Sequence, residues 1–252
     1  MSYQVKCEQQ FKYCEEGDGE AIVLLHGLFG ALSNFNHLIQ HFSKNYKVII
    51  PLLPLYDLPL DQTTVTGMVD YVAEFINYRG FKKVHLIGNS LGGHIAQLYV
   101  LRDPAKVQTM TLTGSSGLFE NSLGDTYPRK GSYEYVKKKA EGTFYDPKFA
   151  TKELVDEVFD IVNDRSKAIR IVVMAKSALR HNLREDVPTM NLPVCLIWGK
   201  SDQITPAFVG EEFHKLLPNS ELNLMEHCGH APMMEKPDEF NAILERFLKK
   251  HA

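Results

Sequence analysis

The chain reads as an α/β protein built on a mostly parallel sheet of eight strands flanked by helices. Short runs of β-branched and aliphatic residues, such as AIVLL at 21–25 and KVIIP at 47–51, alternate with longer segments of helical periodicity. The 252 residues are 44% hydrophobic and 23% charged, enough for one large core of ordinary globular type. The alternation breaks between about Gly117 and Pro188, which predicts an insertion at 117–188 into a core formed by 1–116 and 189–252.

Each element follows from local pattern. Strands are expected at Val5–Gln10 and Phe11–Cys14, too close together for a crossover and therefore antiparallel. Ala21–Leu25 and Lys47–Pro51 follow, with a helical pattern at Phe35–Ser43 between them. The prolines of PLLPLYDLPLDQ then imply a stiff extended loop, whose Tyr56 and Asp57 either reach a pocket rim or sit on the loop surface. A helix at Thr66–Tyr78, a strand at Lys83–Ile87, a helix at Gly92–Arg102 and a strand at Val107–Thr113 complete the first half.

In the insertion, ATKELVDEVFDIVNDRSKAIRIVVMAKSAL has helical periodicity with acids early and bases late, as the helix dipole favours. Its aromatics, among them Tyr127, Tyr133, Phe144, Tyr145 and Phe159, are expected mainly to pack it onto the sheet, with some lining a pocket beneath. The run Lys137, Lys138, Lys139 reads as a solvated helix face. Strands at Val194–Trp198 and Glu221–Met225 and helices at Phe208–Leu217 and Asp238–Lys249 close the chain.

Composition excludes several classes. A net charge of −3 without a long basic segment argues against nucleic acid and anionic lipid as partners. No stretch approaches the length of a bilayer span, and the polar start MSYQVKCEQQ is not a secretory signal. Cys7, Cys14, Cys195 and Cys228 lack metal-ligand spacing and suit free thiols in a reducing compartment. The expectation is a cytoplasmic monomer or homodimer acting on a small molecule without metal or cofactor.

The chemistry concentrates at VHLIGNSLGGHIAQLYVLRDP, residues 84–104. Gly88-Asn89-Ser90-Leu91-Gly92 fits G-x-S-x-G, where small neighbours permit a tight strand-to-helix turn that exposes the serine. A serine needs a base, and the base needs an orienting acid. His230, in MEHCGHAPMMEKP, follows the last strand in a glycine-containing loop and suits the base; His94 and His227 are alternatives. Asp202 in VCLIWGKSD directly follows a strand and suits the acid, the alternatives being a helix cap for Asp202 or Glu120 as the acid. Cys228, two residues before His230, is expected to make activity sensitive to thiol reagents.

These motifs, together with His26-Gly27-Leu28-Phe29-Gly30 after the third strand, resemble the α/β-hydrolase family over nearly the whole chain. The resemblance implies a Ser90–Asp202–His230 triad, an oxyanion hole from the backbone N–H groups of Leu91 and Leu28, a structural His26 and a cap made by the insertion. Phe29 is a second candidate donor. Candidate substrate contacts are Phe29, Asn89, Phe144 and Tyr145.

Family dehalogenases and epoxide hydrolases carry aspartate where this chain has Ser90, so an acyl-enzyme route to carboxylic ester cleavage is implied. GNSLGG is also similar to the elbow of carbon–carbon bond hydrolases acting on vinylogous diketones. Those enzymes have a glycine-rich HG loop and a tryptophan after the histidine, where this chain has HGLFG, closer to small acyl esterases, and Ala231. A hydrolase-like ligand receptor is the third reading.

Overall fold

The computed structural model describes residues 3–30, 32–119 and 132–251. Eight strands form one sheet: β1 (Lys6–Glu8), β2 (Phe11–Glu16), β3 (Ala21–Leu25), β4 (Lys47–Pro51), β5 (Val84–Asn89), β6 (Val107–Thr113), β7 (Val194–Gly199) and β8 (Ser220–Met225). Their order is β1-β2-β4-β3-β5-β6-β7-β8, with β1 and β2 antiparallel and β3 to β8 parallel. The first strand is shorter than expected, because the chain turns at Gln9 with φ 52.

The sheet is covered on both faces, so its central strands are apolar throughout and successive residues serve opposite layers. In β3, Val23 and Leu25 pack with helices α2 (Val65–Tyr78), α3 (Leu91–Arg102) and α7 (Ala207–Leu216) through Phe75, Ile95, Tyr99 and Phe213. Ile22 and Leu24 face the other layer, where α1 (Asn36–Phe42) and α8 (Pro237–Lys250) bring Phe42, Phe240 and Phe247. Each such side chain contributes roughly 1.5–3 kcal/mol on burial, which fixes the strand ends against the helices that follow them.

Between β6 and β7 lie α4 (Tyr133–Glu141), α5 (Lys152–Asn163) and α6 (Arg165–Arg180), and no strand occurs among the described residues there. The single long helical pattern read from the sequence is two helices. Asp164 breaks it: extended at ψ 113, it accepts the N–H groups of Ser166 and Lys167 and so caps a new helix. The insertion has its own small core of Val136, Ala140, Val155, Val158 and Val162. Its two ends are stapled together, Leu183 N–H donating to Gly117 O at 2.7 Å and the Asn182 amide to Leu118 O. No helix among the described residues is long and apolar enough to cross a membrane.

Cys14, Cys195 and Cys228 are buried and Cys7 is exposed. Cys228 is buried, and burial, with the Glu235 carboxylate adding to it, pushes that thiol up to about 12, which argues against the expected thiol sensitivity. A disulfide reagent at neutral pH should therefore modify Cys7 alone in the native protein and leave enzymatic turnover unchanged. Thiol counting before and after denaturation checks this; fast modification of Cys228 in the native state would contradict it.

Candidate active site

Ser90 is the single residue between β5 and α3, and its backbone is forced to φ 55, ψ −119. Such a conformation costs about 1–3 kcal/mol in a non-glycine residue and persists only where the surroundings dictate it. Here Ser90 N–H donates to Thr113 O on β6 at 3.1 Å, while Ser90 O accepts from Gly93 N–H and Ser116 N–H at 3.0 and 3.3 Å. The helix can start so close to the sheet because Gly92 has no side chain: a Cβ there would lie 2.0 Å from Leu25 O. Leu91 N–H, at the positive end of α3, has no partner among the described residues.

His230 and Asp202 come from loops after β8 and β7 and meet over the sheet. Both are nearly buried. His230 Nδ1 donates to Asp202 Oδ2 at 2.9 Å, an assignment the carboxylate imposes because it can only accept. That leaves Nε2 unprotonated on a ring that lines the same cavity as Ser90. Asp202 does not cap the helix after it, whose N-cap Pro206 has no side-chain hydrogen bond; instead Oδ1 accepts the N–H groups of Ile204 and Thr205 at 2.8 and 2.9 Å, and Oδ2 also accepts the Thr205 hydroxyl. Thr205 thus locks the acid, and nothing in the sequence beyond its spacing pointed to it.

The histidine loop is clamped at both ends of its key residue. His230 N–H donates to Thr143 O in the insertion at 2.8 Å, and His230 O accepts from the Asn89 amide at 3.2 Å. Asn89 also donates to Thr113 O at 3.1 Å, so its amide ties elbow, β6 and histidine loop together. Gly114, at φ 50, leaves room for the ring; a Cβ there would stand 2.8 Å from His230 Nδ1. His94, an alternative base, is fully buried with Nε2 donating to His181 O at 2.8 Å, and burial pushes it down to about 4. His227 turns away at φ 47 and packs on Tyr145. Glu120 and Tyr127 lie outside the described residues.

The HG loop after β3 is a turn closed by Gly30 N–H to Gly27 O at 3.0 Å. His26 is structural, Nδ1 donating to Gly27 O at 2.9 Å and Nε2 accepting Leu53 N–H at 3.1 Å. The Leu28 and Phe29 N–H groups have no partner among the described residues. Leu28 O accepts the Tyr56 hydroxyl at 3.1 Å, so Tyr56 of the proline-rich loop is an anchor rather than loop surface, while Asp57 is exposed.

These segments enclose a cavity of about 680 Å³, within the usual range for small-ligand sites. Ser90, His230, Asn89, Leu28, Phe29, Leu91 and Phe144 all line it. Its far wall is insertion surface that sequence reasoning did not single out: Val136, Val158, Ile171, Met174 and Ala178. One expectation is corrected and one extended. Tyr145 is 50% exposed and outside the lining, its N–H held by Glu235 and its ring against His227. Lys137 and Lys138 are exposed, as a solvated face requires, but Lys138 and the half-buried Lys139 also line the cavity; Lys137 pairs with Glu141. A separate recess of about 790 Å³, lined by residues such as Lys12, Leu58, Asp70 and Tyr71, shares no residue with this site.

Comparison with known proteins agrees with this fold. An alpha/beta hydrolase enzyme, MGS-MChE2, from the metagenome of sediments from the lagoon of Mar Chica, Morocco, is 43% identical, with each chain covered to 98% and a TM-score of 0.82. Monoacylglycerol lipase ABHD6 of Bos taurus is 25% identical over 95% of this chain and 80% of its own. A 2-hydroxy-6-oxononadienedioate/2-hydroxy-6-oxononatrienedioate hydrolase of Pseudomonas sp is 26% identical over 94% of this chain and 90% of its own. Residues 22–243 match the model of the Alpha/beta hydrolase family, and the chain belongs to that family.

Proposed function

We propose that the protein is a serine hydrolase that cleaves carboxylic esters of small, largely apolar acyl groups through an acyl-enzyme. The observation that carries this reading is the oriented His230, with Nδ1 fixed by Asp202 and Nε2 left as acceptor, in one cavity with a strained, cavity-lining Ser90. The similarity to a monoacylglycerol lipase supports an ester substrate.

In this mechanism Ser90 Oγ attacks the acyl carbon as its proton passes to His230 Nε2, and Asp202 stabilises the imidazolium. The carbonyl oxygen becomes an oxyanion and accepts from Leu91 N–H at the helix start and from the HG loop, Leu28 first and Phe29 beside it. Collapse breaks the carbon–oxygen bond to the leaving group, which takes the proton from Nε2 and departs as an alcohol. Water then gives its proton to Nε2 and attacks the acyl-enzyme. Ser90 leaves with that proton, and the carboxylic acid is released.

The wall of Phe144, Val158, Ile171, Met174 and Ala178 is what selects the acyl chain, with the insertion serving as a lid that positions substrate and excludes water. Activated esters of graded acyl length, a lactone series and a dienol ketone test the reading together. Repeated ester turnover with a preferred acyl length is expected; faster cleavage of the dienol ketone would assign carbon–carbon bond hydrolysis, and one slow turnover a receptor. In the same panel Phe144→Ala should shift the preferred length toward longer chains while changing acetate ester turnover by less than about threefold, since it enlarges the wall without touching the reacting atoms. Equal loss on every ester would limit Phe144 to packing.

Asp202→Asn should keep the fold and lower kcat by up to about 10⁴, because an amide N–H facing Nδ1 imposes the wrong tautomer on His230. Turnover of that variant near neutral pH, with circular dichroism as the folding control, is the check. Near-normal activity would remove Asp202 from the reaction.

A further inference from the structure

We propose that Tyr56 is a positioning residue for oxyanion stabilisation, holding through its hydroxyl the peptide plane that carries the Phe29 N–H. The proposal rests on the hydrolase reading above. Tyr56 does not line the cavity and touches no substrate. Its one polar contact at the site is the 3.1 Å bond from its hydroxyl to Leu28 O.

The turn of residues 27–30 contains three peptide units, of which the first two differ in their support. The Gly27–Leu28 unit is fixed from within the loop, because Gly27 O accepts both Gly30 N–H and His26 Nδ1. The Leu28–Phe29 unit is the central peptide of the turn, the one whose rotation interconverts type I and type II geometry. A peptide is planar with C=O and N–H on opposite edges, so fixing Leu28 O fixes the direction of Phe29 N–H. Tyr56 is the partner of that carbonyl among the described residues. Phe29 itself resists the flip, since type II needs positive φ at its position, and the Tyr56 bond adds a restraint on the same plane.

Tyr56 is well placed to do this because it is itself held from two sides. Its ring is half-buried against the main core. The Lys167 ammonium of α6 stands 5.7 Å from its centroid, and Arg170 of the same helix donates to Leu58 O two residues on. Burial, with the Glu157 charge nearby, raises its hydroxyl above the ordinary range, so it stays a donor throughout neutral and mildly alkaline pH. The helix that walls the acyl cavity with Ile171 and Met174 is thereby coupled to the loop facing the oxyanion.

The test uses the full chain and Tyr56→Phe, which removes the hydroxyl and keeps the ring. Steady-state kinetics on the preferred activated ester are combined with binding of a trifluoromethyl ketone of the same acyl chain, which forms a tetrahedral adduct, and of the corresponding ether, which has no carbonyl and forms none. A loss of about tenfold is expected in kcat and in ketone affinity, with KM and ether binding unchanged within about twofold, because only an oxygen bearing developed charge uses the donor plane. Wild-type kcat and ketone affinity in the variant overturn the proposal. Equal weakening of both ligands, or a variant that does not fold, assigns Tyr56 to packing and overturns it as well. Failure of the wild-type protein to turn over ester or bind the ketone refutes the hydrolase reading itself, an outcome distinct from an active wild type with an unaffected variant.

Discussion

The backbone of Ser90 is the constraint on which the rest of the site depends. A residue at φ 55, ψ −119 between strand and helix stands at a local energy maximum of about 1–3 kcal/mol. It is held there by α3, whose Ile95, Tyr99 and Val100 are buried against the sheet and contribute roughly 1.5–3 kcal/mol each. Packing therefore outweighs strain, provided the helix can approach as closely as Gly92 permits. The consequence is geometric: with no freedom in the turn, the side chain of Ser90 lines the cavity and Leu91 N–H, at the helix start, has no partner among the described residues.

Around that fixed point the other groups are positioned by cross-links between segments far apart in the chain. Asn89 joins the elbow to the His230 carbonyl, Thr143 takes the His230 N–H from the insertion side, and Thr205 locks the carboxylate of Asp202. The HG loop is tied in the same way to the β4–α2 connection, His26 accepting Leu53 N–H and Tyr56 donating to Leu28 O. A site assembled this way has its dipoles set before substrate arrives, which is the condition under which hydrogen-bond donors lower a barrier rather than merely bind.

Much of this was legible in the sequence, and the reason is that the informative features are local. The strands and the longer helices outside the insertion followed from periodicity within a residue or two, as did the positions of Ser90, Asp202 and His230 just beyond strand ends. What was not legible depends on contacts between distant segments. Tyr145 is next to Phe144 in sequence, yet Glu235, ninety residues on, takes its N–H and turns it outward. The break at Asp164 lay within an unbroken helical pattern, and only its two accepted N–H groups reveal the cap. Tyr56 looked like loop surface because its partner, Leu28 O, is a backbone atom in another loop. Lys138 and Lys139 looked only solvated because a charge run carries no sign of what faces it.

The central claim is that the strained elbow makes Ser90 a covalent nucleophile. Rapid quenching of the protein with an activated ester, followed by intact-mass and peptide analysis, measures this directly. The account predicts a transient mass increase of one acyl group within the first turnover, located on the peptide containing Ser90 and absent in Ser90→Ala. Hydrolysis of the ester at full rate with no acyl adduct, or an adduct on another residue, would contradict it.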